Sequence, residues 1–345
     1  MEKINVAVIG LFHGMNHVRS ALKCEDAKLV AICDLKEKYR KDAEKYNVPF
    51  YLDYNEMFEK EKIDGVVLAI PNNLHAPLTE ECGKRGINVL VEKPVASTVE
   101  DADRIIEAEK KYGMKVLVGH HRRFSTYIQR LREAVQQKEI GEFVCANIMW
   151  NTLKNKEYYQ EIWRTKEGGG ILNINAIHDI DDMRFIVGEI SQVYAEVSNR
   201  IRGFDVEDTA SIVLKFKDGG MANILLSDCT PSPFFYEASC HEDKGFSPTL
   251  KDCYYIFGTK GSIAMPSMEK YYYIEGEREG WRWPITNSRI EILRVNPMLE
   301  EMYNFCRIIR GQEVPTTTAE DAKESLKVIL AIKESARSGK TIQIS

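Results

Sequence analysis

Lys93 closes the run Val91-Glu92-Lys93-Pro94, directly after an apolar segment at 88–91. An amine at a strand tip, partly withdrawn from water and beside another cation, is less basic than usual and can take a proton from a hydroxyl. His178 lies in Asn175-Ala176-Ile177-His178-Asp179. Treated as a helix at ~100° per residue, 171–187 sets Asn175, His178, Asp179 and Asp182 on one stripe. Ile174, Ile177, Ile180, Met183 and Val187 then fall mainly on the other side. A carboxylate beside an imidazole would orient it and raise its basicity. Such a lysine and histidine suit proton transfer at a carbinol, where the hydroxyl proton must leave as hydride departs. Each also has a plainer reading, as a surface lysine before a turn or a solvated helix face that contains a histidine. Asp181 falls nearer the apolar edge and is expected to be structural.

The elements that must position these groups change rhythm along the chain. Short β-branched runs at 4–9, 28–33, 65–70, 88–91 and 115–119 alternate with helical stretches at 18–24, 36–46, 55–61, 76–85 and 99–112. That alternation predicts a doubly wound parallel sheet with its ligand crevice at the carboxyl ends of the strands. After about residue 120 comes a helix at 126–138 and a strand at 142–150. The glycines at 168–170 open an apolar helix that runs to Gly188. Strand-like segments then follow one another at 192–201, 210–216, 221–227, 253–258, 262–265 and 271–274, before two closing helices at 298–310 and 319–338. Successive strands without helices predict an antiparallel sheet. The aromatic stretches 271–273 and 281–283 are expected to pack in that sheet or at a subunit interface. The fold class is therefore α/β: an N-terminal Rossmann domain over 1–120, and a C-terminal α/β domain with a large, mostly antiparallel sheet over 121–345. The last helix can return to the first domain.

The first strand runs into Gly10-Leu11-Phe12-His13-Gly14-Met15. A full dinucleotide fingerprint would place glycine at 10, 12 and 15, and only Gly10 matches. The turn still follows a buried strand and opens a helix, whose free N–H groups favour a phosphate. The second strand ends at Asp34, where an acid can accept hydrogen bonds from the adenosine ribose and repel a 2′-phosphate. NAD is thus expected, with NADP disfavoured. The competing role for Asp34 is to cap the next helix. The loops Ile70-Pro71-Asn72-Asn73-Leu74-His75 and Glu92-Lys93-Pro94 lie at the same edge of the sheet.

Taken together these residues resemble the Gfo/Idh/MocA family, the glucose–fructose oxidoreductase and inositol dehydrogenase group. Glu92-Lys93-Pro94 is its most specific mark. Ala69-Ile70-Pro71-Asn72 through His75 is similar to the family's A-T-P-N-x-x-H loop, and Val118 to Phe124 to its V-G-H-N-x-R-F segment. Gly168-Gly169-Gly170 through His178 and Asp181 is similar to G-G-G…H-x-x-D, and Ala331 to Gly339 to the closing A-I-x-x-S-x-x-x-G. The resemblance implies oxidation or reduction of a secondary alcohol of a sugar, sugar acid or cyclitol, and a sheet face that forms homodimers or homotetramers. It also implies contact of Lys93 with both substrate and nicotinamide, with Pro94 fixing its backbone. Gly10, Phe12, His13, Gly14, Met15, Asp34, Ile70, Pro71, Asn72, His75, Glu92, Lys93 and His121 become the cofactor candidates. Lys93, Arg123, Trp163, Arg164, Asn175 and His178 become the substrate candidates, with Lys93, His178 and Asn175 nearest the chemistry. Many members carry an aspartate where this chain has Ile174, so Asn175 is expected to supply that polar contact and Lys93 and His178 the proton transfer. A redox-neutral lyase or hydrolase with tightly held NAD, and a non-catalytic sensor or co-regulator, are the alternatives.

Composition is that of an ordinary globular chain: 345 residues, 44% hydrophobic and 29% charged, with a net charge of −5. That balance disfavours nucleic acid and anionic membranes as partners. The first strand begins almost at once, so no signal peptide is expected. The eight cysteines include no C-x-x-C pair and no zinc spacing, so no metal is expected. Reduced thiols in the cytoplasm are the expectation.

Overall fold

Buried β-branched runs form the first sheet of the computed structural model, which describes residues 2–344. Its strands are β1 (Ile4–Ile9), β2 (Ala27–Cys33), β3 (Phe50–Tyr51), β4 (Gly65–Leu68), β5 (Asn88–Glu92) and β6 (Val116–Gly119). They pair in the order β3-β2-β1-β4-β5-β6, all parallel. Val66 to Leu68 and Val89 to Val91 are fully buried, as strands covered on both faces must be. The strand order reverses beside β1, which makes the crevice between the ends of β1 and β4 the topological switch point. The edge strand β3 has only two residues, too few to leave a periodic signal.

Helices α1 (Leu11–Lys23), α2 (Arg40–Tyr46), α3 (Tyr54–Lys60), α4 (His75–Lys84) and α5 (Val99–Tyr112) alternate with these strands. Asp53 and Thr98 accept backbone N–H groups at the starts of α3 and α5, and Gly113 ends α5 with φ 66°. The first helix begins at Leu11, seven residues before the start its apolar pattern suggests, because Gly10 turns the chain from strand to helix without a loop. The helix Pro297–Ile309 packs on α1, with Met302, Phe305 and Cys306 in the same core as Val6, Val8 and Val18.

The chain divides into two compact units, one ending at Phe124 and resumed over Pro297–Leu326, the other made of Ser125–Asn296 and the residues from Lys327 on. The first is therefore discontinuous, whereas the sequence suggests a single boundary at 120/121. The second holds β7 (Phe143–Asn151), β8 (Ile190–Ser198), β9 (Thr209–Phe216), β10 (Met221–Ser227), β11 (Tyr254–Gly258), β12 (Gly261–Met265), β13 (Glu269–Tyr272), β14 (Thr286–Arg289) and β15 (Ile342–Gln343). Their order is β14-β13-β12-β11-β7-β10-β9-β8-β15, with only β7 and β10 parallel. One sheet face buries Ala146, Ile148, Ile212, Leu214, Ile224 and Ile256 against the helix Ile177–Ile186. The opposite face leaves Val213, Met221, Leu225 and Phe257 exposed. Trp281 is 87% exposed and does not pack in the sheet, the first of the two places expected for that aromatic stretch.

Gly10 is where backbone geometry is most demanding. Its φ is 84°, and a Cβ there would overlap the carbonyl of Ala69 at the end of β4. Gly10→Ala should therefore cost about 2 kcal/mol or more. An unchanged melting temperature in that variant would show that the turn has room for a side chain.

Candidate functional site

The carboxyl edge of the first sheet gathers most of the residues expected at a cofactor. The first turn of α1 has no acidic side chain of its own and Gly10 offers no side-chain cap, so beyond the Leu11 N–H, which Asp34 takes, this helix start suits an anion. Gly14 sits where a Cβ would come within 3.0 Å of Val8 and 3.3 Å of Ala69, so it lets α1 lie tightly on the strands. Met15, on α1 itself, packs partly buried against the core. Phe12 is 61% exposed, with its ring on the outer side of the first turn. Asp34 accepts the N–H of Leu11 at 2.6 Å and of Lys36 at 2.8 Å. It thus anchors the start of α1 and its own loop, while each oxygen keeps a lone pair for a ribose hydroxyl. Gly10, the α1 amides and Asp34 fit a dinucleotide held at the β1–α1 turn.

His75 is completely buried. Its Nε2 lies 3.0 Å from the Ile70 carbonyl, and its Nδ1 lies 3.1 and 3.2 Å from the carbonyls of Pro94 and Val95. Burial pushes its imidazole below the usual range despite those carbonyls. His75 therefore clamps the Ile70–Pro71–Asn72 loop to the Lys93–Pro94 loop. The Lys93–Pro94 bond is cis.

Glu92 is the hub of this edge. Its Oε1 lies 2.6 Å from His17 Nε2 and 3.2 Å from His13 Nε2, and its Oε2 accepts the N–H of Lys93 at 3.1 Å. Burial alone would raise the Glu92 carboxyl, but the two imidazoles outweigh it and hold the group well below the usual carboxylate range. Behind His17, whose side chain is fully buried, Glu301 Oε2 lies 3.9 Å from Nδ1. Glu301 is fully buried with neither oxygen hydrogen-bonded, and burial together with Glu92 raises its carboxyl well above the usual range. His121 follows β6; burial holds it well below the usual histidine range, with Arg122, His13 and Lys93 adding to the effect and Glu92 opposing it. The sequence points to His13 and Glu92 but not to His17 or Glu301. The i, i+4 spacing of His13 and His17 on α1 was the available signal.

In the second unit the expected regular helix is interrupted. Leu172–Ala176 is a π-helical turn, and the α-helix proper runs Ile177–Ile186. The wider turn shifts Asn175 against His178, Asp179 and Asp182, which keep their helical spacing on the α-helix that follows. Asp179 and Asp182 turn inward, where the Tyr254 hydroxyl lies 2.5 Å from Asp179 Oδ1 and 2.9 Å from Asp182 Oδ2. They are core residues, not partners on a solvated stripe. His178 is 6% exposed, and Asp181 lies 3.9 Å from Arg184 inside the structure. The glycine run has a local cause: at Gly169 a Cβ would meet the Trp163 carbonyl at 2.7 Å, and at Gly170 one would overlap the Glu207 carboxylate. That carboxylate accepts the N–H of Leu172 at 2.8 Å.

Asn175 is held by a residue the sequence did not suggest: Lys154 Nζ donates to its Oδ1 at 2.7 Å. Nearby, Asp228 accepts Arg202 Nε at 2.6 Å and the Tyr159 hydroxyl. Arg164 stacks on the Tyr158 ring at 3.9 Å and donates to the Tyr158 carbonyl at 2.5 Å, while Trp163 is half exposed. Arg123, expected at the substrate, is buried in an ion pair with Asp321 in the first unit. Lys154, Arg202 and Asp228 stand too far apart in sequence for spacing to reveal them.

Comparison with known proteins agrees with this geometry. Residues 4–120 match the profile described as oxidoreductase family, NAD-binding Rossmann fold, and residues 128–264 match the GFO/IDH/MocA C-terminal domain. The chain is 28% identical to myo-inositol 2-dehydrogenase of Thermotoga maritima, covering 99% of this chain and 98% of that one. It is also 28% identical to inositol 2-dehydrogenase of Rubrobacter xylanophilus, covering 98% and 92%. An oxidoreductase of Agrobacterium radiobacter, solved with NAD+, L-tartaric acid and magnesium, superposes with a TM-score of 0.84 at 20% identity, covering 99% of each chain.

The Glu301 carboxyl yields a pH test. Its folded pKa lies above the ordinary 4.5, so over that interval unfolding releases a proton and stability falls as pH rises. Glu301→Gln has no such proton. Its melting temperature relative to wild type should rise as the pH increases above 4.5. A difference independent of pH would mean that Glu301 ionises normally in the fold.

Proposed function

The chain belongs to the Gfo/Idh/MocA family of oxidoreductases, and we propose that it is an NAD-dependent dehydrogenase acting on a secondary alcohol of a sugar, sugar acid or cyclitol. Its first domain is an NAD-binding Rossmann domain. The observation that carries the proposal is the anchoring of Lys93: its backbone is fixed by the buried Glu92 carboxylate at the same sheet edge as the Gly10 turn. Bound NAD supplies the hydride acceptor. The protein must then remove the hydroxyl proton, and Lys93 is our assignment for that base. His178 and Asn175 are assigned to hold substrate oxygens, with Trp163 and Arg164 as further contacts. A neutral His121 adds no positive charge beside the oxidised cofactor. NAD is favoured over NADP because Asp34 puts a carboxylate at the ribose and Leu35, 89% exposed, offers no cation for a 2′-phosphate.

The exposed apolar sheet face with Val213, Met221, Leu225 and Phe257 supports a homodimer or homotetramer. Eight cysteines without a disulfide fit a cytoplasmic protein. Among the described residues no helix is long and apolar enough to cross a membrane.

A panel of sugars, sugar acids and cyclitols assayed with NAD and NADP tests the assignment. Lys93→Ala should lower kcat by about 10²–10⁴-fold with NAD binding retained. Wild-type turnover in that variant would remove Lys93 from the mechanism. Asp34→Ala should weaken NAD binding by about tenfold. Product formed by protein with copurified NAD, without net NADH, would replace the dehydrogenase by a redox-neutral reaction.

A further inference from the structure

Both oxygens of Glu92 are occupied: His17 and His13 stand at Oε1, and the Lys93 N–H points at Oε2. An ionised carboxylate only accepts, so at 2.6 Å His17 must carry a proton on Nε2. A neutral imidazole with that proton has a bare lone pair at Nδ1. Nδ1 is fully buried and has no hydrogen-bond partner among the described residues. Both oxygens of Glu301 are in the same condition, and Oε2 stands 3.9 Å from Nδ1. Unsatisfied polar atoms in a dry core are costly, but an acid and an imidazole nitrogen can satisfy each other. A small side-chain rotation, or one water with these atoms as its partners, closes the gap.

Two proton arrangements can join them. In one, Glu301 keeps its proton and holds it towards a neutral His17. In the other, the proton sits on Nδ1, which sets a Glu301 carboxylate, an imidazolium and the Glu92 carboxylate in one row. The net charge is the same, but the second arrangement buries a charge on every member and the first only on Glu92. The other charged or titratable groups around this hub are His13 on α1, Lys93 after β5, and His121 and Arg122 after β6. Burial and the neighbouring Glu92 both oppose ionisation of Glu301, which favours the first arrangement.

We propose that Glu301 is a positioning residue: it holds a proton towards His17 Nδ1, which fixes the tautomer that donates to Glu92 and so keeps the Glu92 carboxylate at the backbone of Lys93. This rests on the assignment of Lys93 as the base. Without the Glu301 proton, His17 can carry its own proton on Nδ1. The Nε2 lone pair then meets the Oε1 lone pairs, and the two groups repel. Glu92 loses a donor that steadies its charge, its carboxyl moves up, and the anchor of Lys93 weakens at a higher pH than before.

The test uses the full chain with NADH bound, isotope-labelled at the histidine nitrogens. The ring-nitrogen NMR shifts of His17, assigned by their loss in His17→Gln, distinguish the Nε2–H tautomer from the Nδ1–H tautomer and from imidazolium. Wild type at neutral pH should show the Nε2–H tautomer. Glu301→Gln, whose amide donates in place of the acid, should keep it, and Glu301→Met, which has no donor, should lose it. With a substrate found in the panel, Glu301→Gln should turn over as wild type does. Glu301→Met should lower kcat by about tenfold, the worth of one hydrogen bond, leave NADH affinity unchanged, and move the acid limb of kcat to higher pH. Imidazolium or Nδ1–H in wild type, loss of the tautomer in Glu301→Gln, or an unmoved acid limb in Glu301→Met overturns the proposal. The wild-type and Glu301→Gln spectra decide it even where Glu301→Met does not fold. A Glu301-dependent Nε2–H tautomer in protein that oxidises no member of the panel supports the proton chain and refutes the dehydrogenase instead.

Discussion

Glu92 places a carboxylate in the closed end of β5, where an unpaired charge would cost several kcal/mol. The structure offsets that cost with one helix. His13 and His17 stand one turn apart on α1 and both reach Oε1, while Oε2 takes the backbone N–H of Lys93. Helix and strand end are thereby locked in one register. That register requires α1 to start immediately after β1, which in turn requires Gly10 to turn against the Ala69 carbonyl. The phosphate-facing helix terminus and the backbone of the lysine therefore share one constraint.

Behind this hub a second carboxyl, Glu301, approaches His17 from the returning segment 297–326. Two carboxyls close together in a dry interior oppose each other's charge, and the Glu92 carboxyl is held well below the usual carboxylate range while that of Glu301 is pushed well above it. His75 adds a purely geometric clamp between the two neighbouring loops. Residues that appear functional by position thus divide into groups that face the ligand and groups that hold those in place.

The second unit handles polarity differently. Its helix Ile177–Ile186 is buried almost all round, and Asp179 and Asp182 meet at one tyrosine hydroxyl, that of Tyr254. The π turn before it sets Asn175 apart from that interior and brings it to Lys154. The polar character concentrated around Lys154, Arg202 and Asp228 comes from strand ends and loops that meet only in the folded sheet.

The sequence by itself determined the two sheet types, because runs of β-branched residues alternating with amphipathic helices and runs of successive strands each bury their apolar faces in only one way. It also pointed to the strand-end residues Asp34, Glu92 and Lys93, since a parallel sheet delivers its strand tips to one edge. Tertiary structure alone decided what each polar group does. Glu301 and His17 lie nearly the whole chain apart, Lys154 and Asp228 share no spacing, and Arg123 is claimed by Asp321. Periodicity over 171–187 assumes one angle per residue, and the π turn at Leu172–Ala176 changes that angle ahead of the α-helix, which moves Asn175 relative to His178. Charge compensation is a property of three-dimensional neighbours, so it could not be read along the chain.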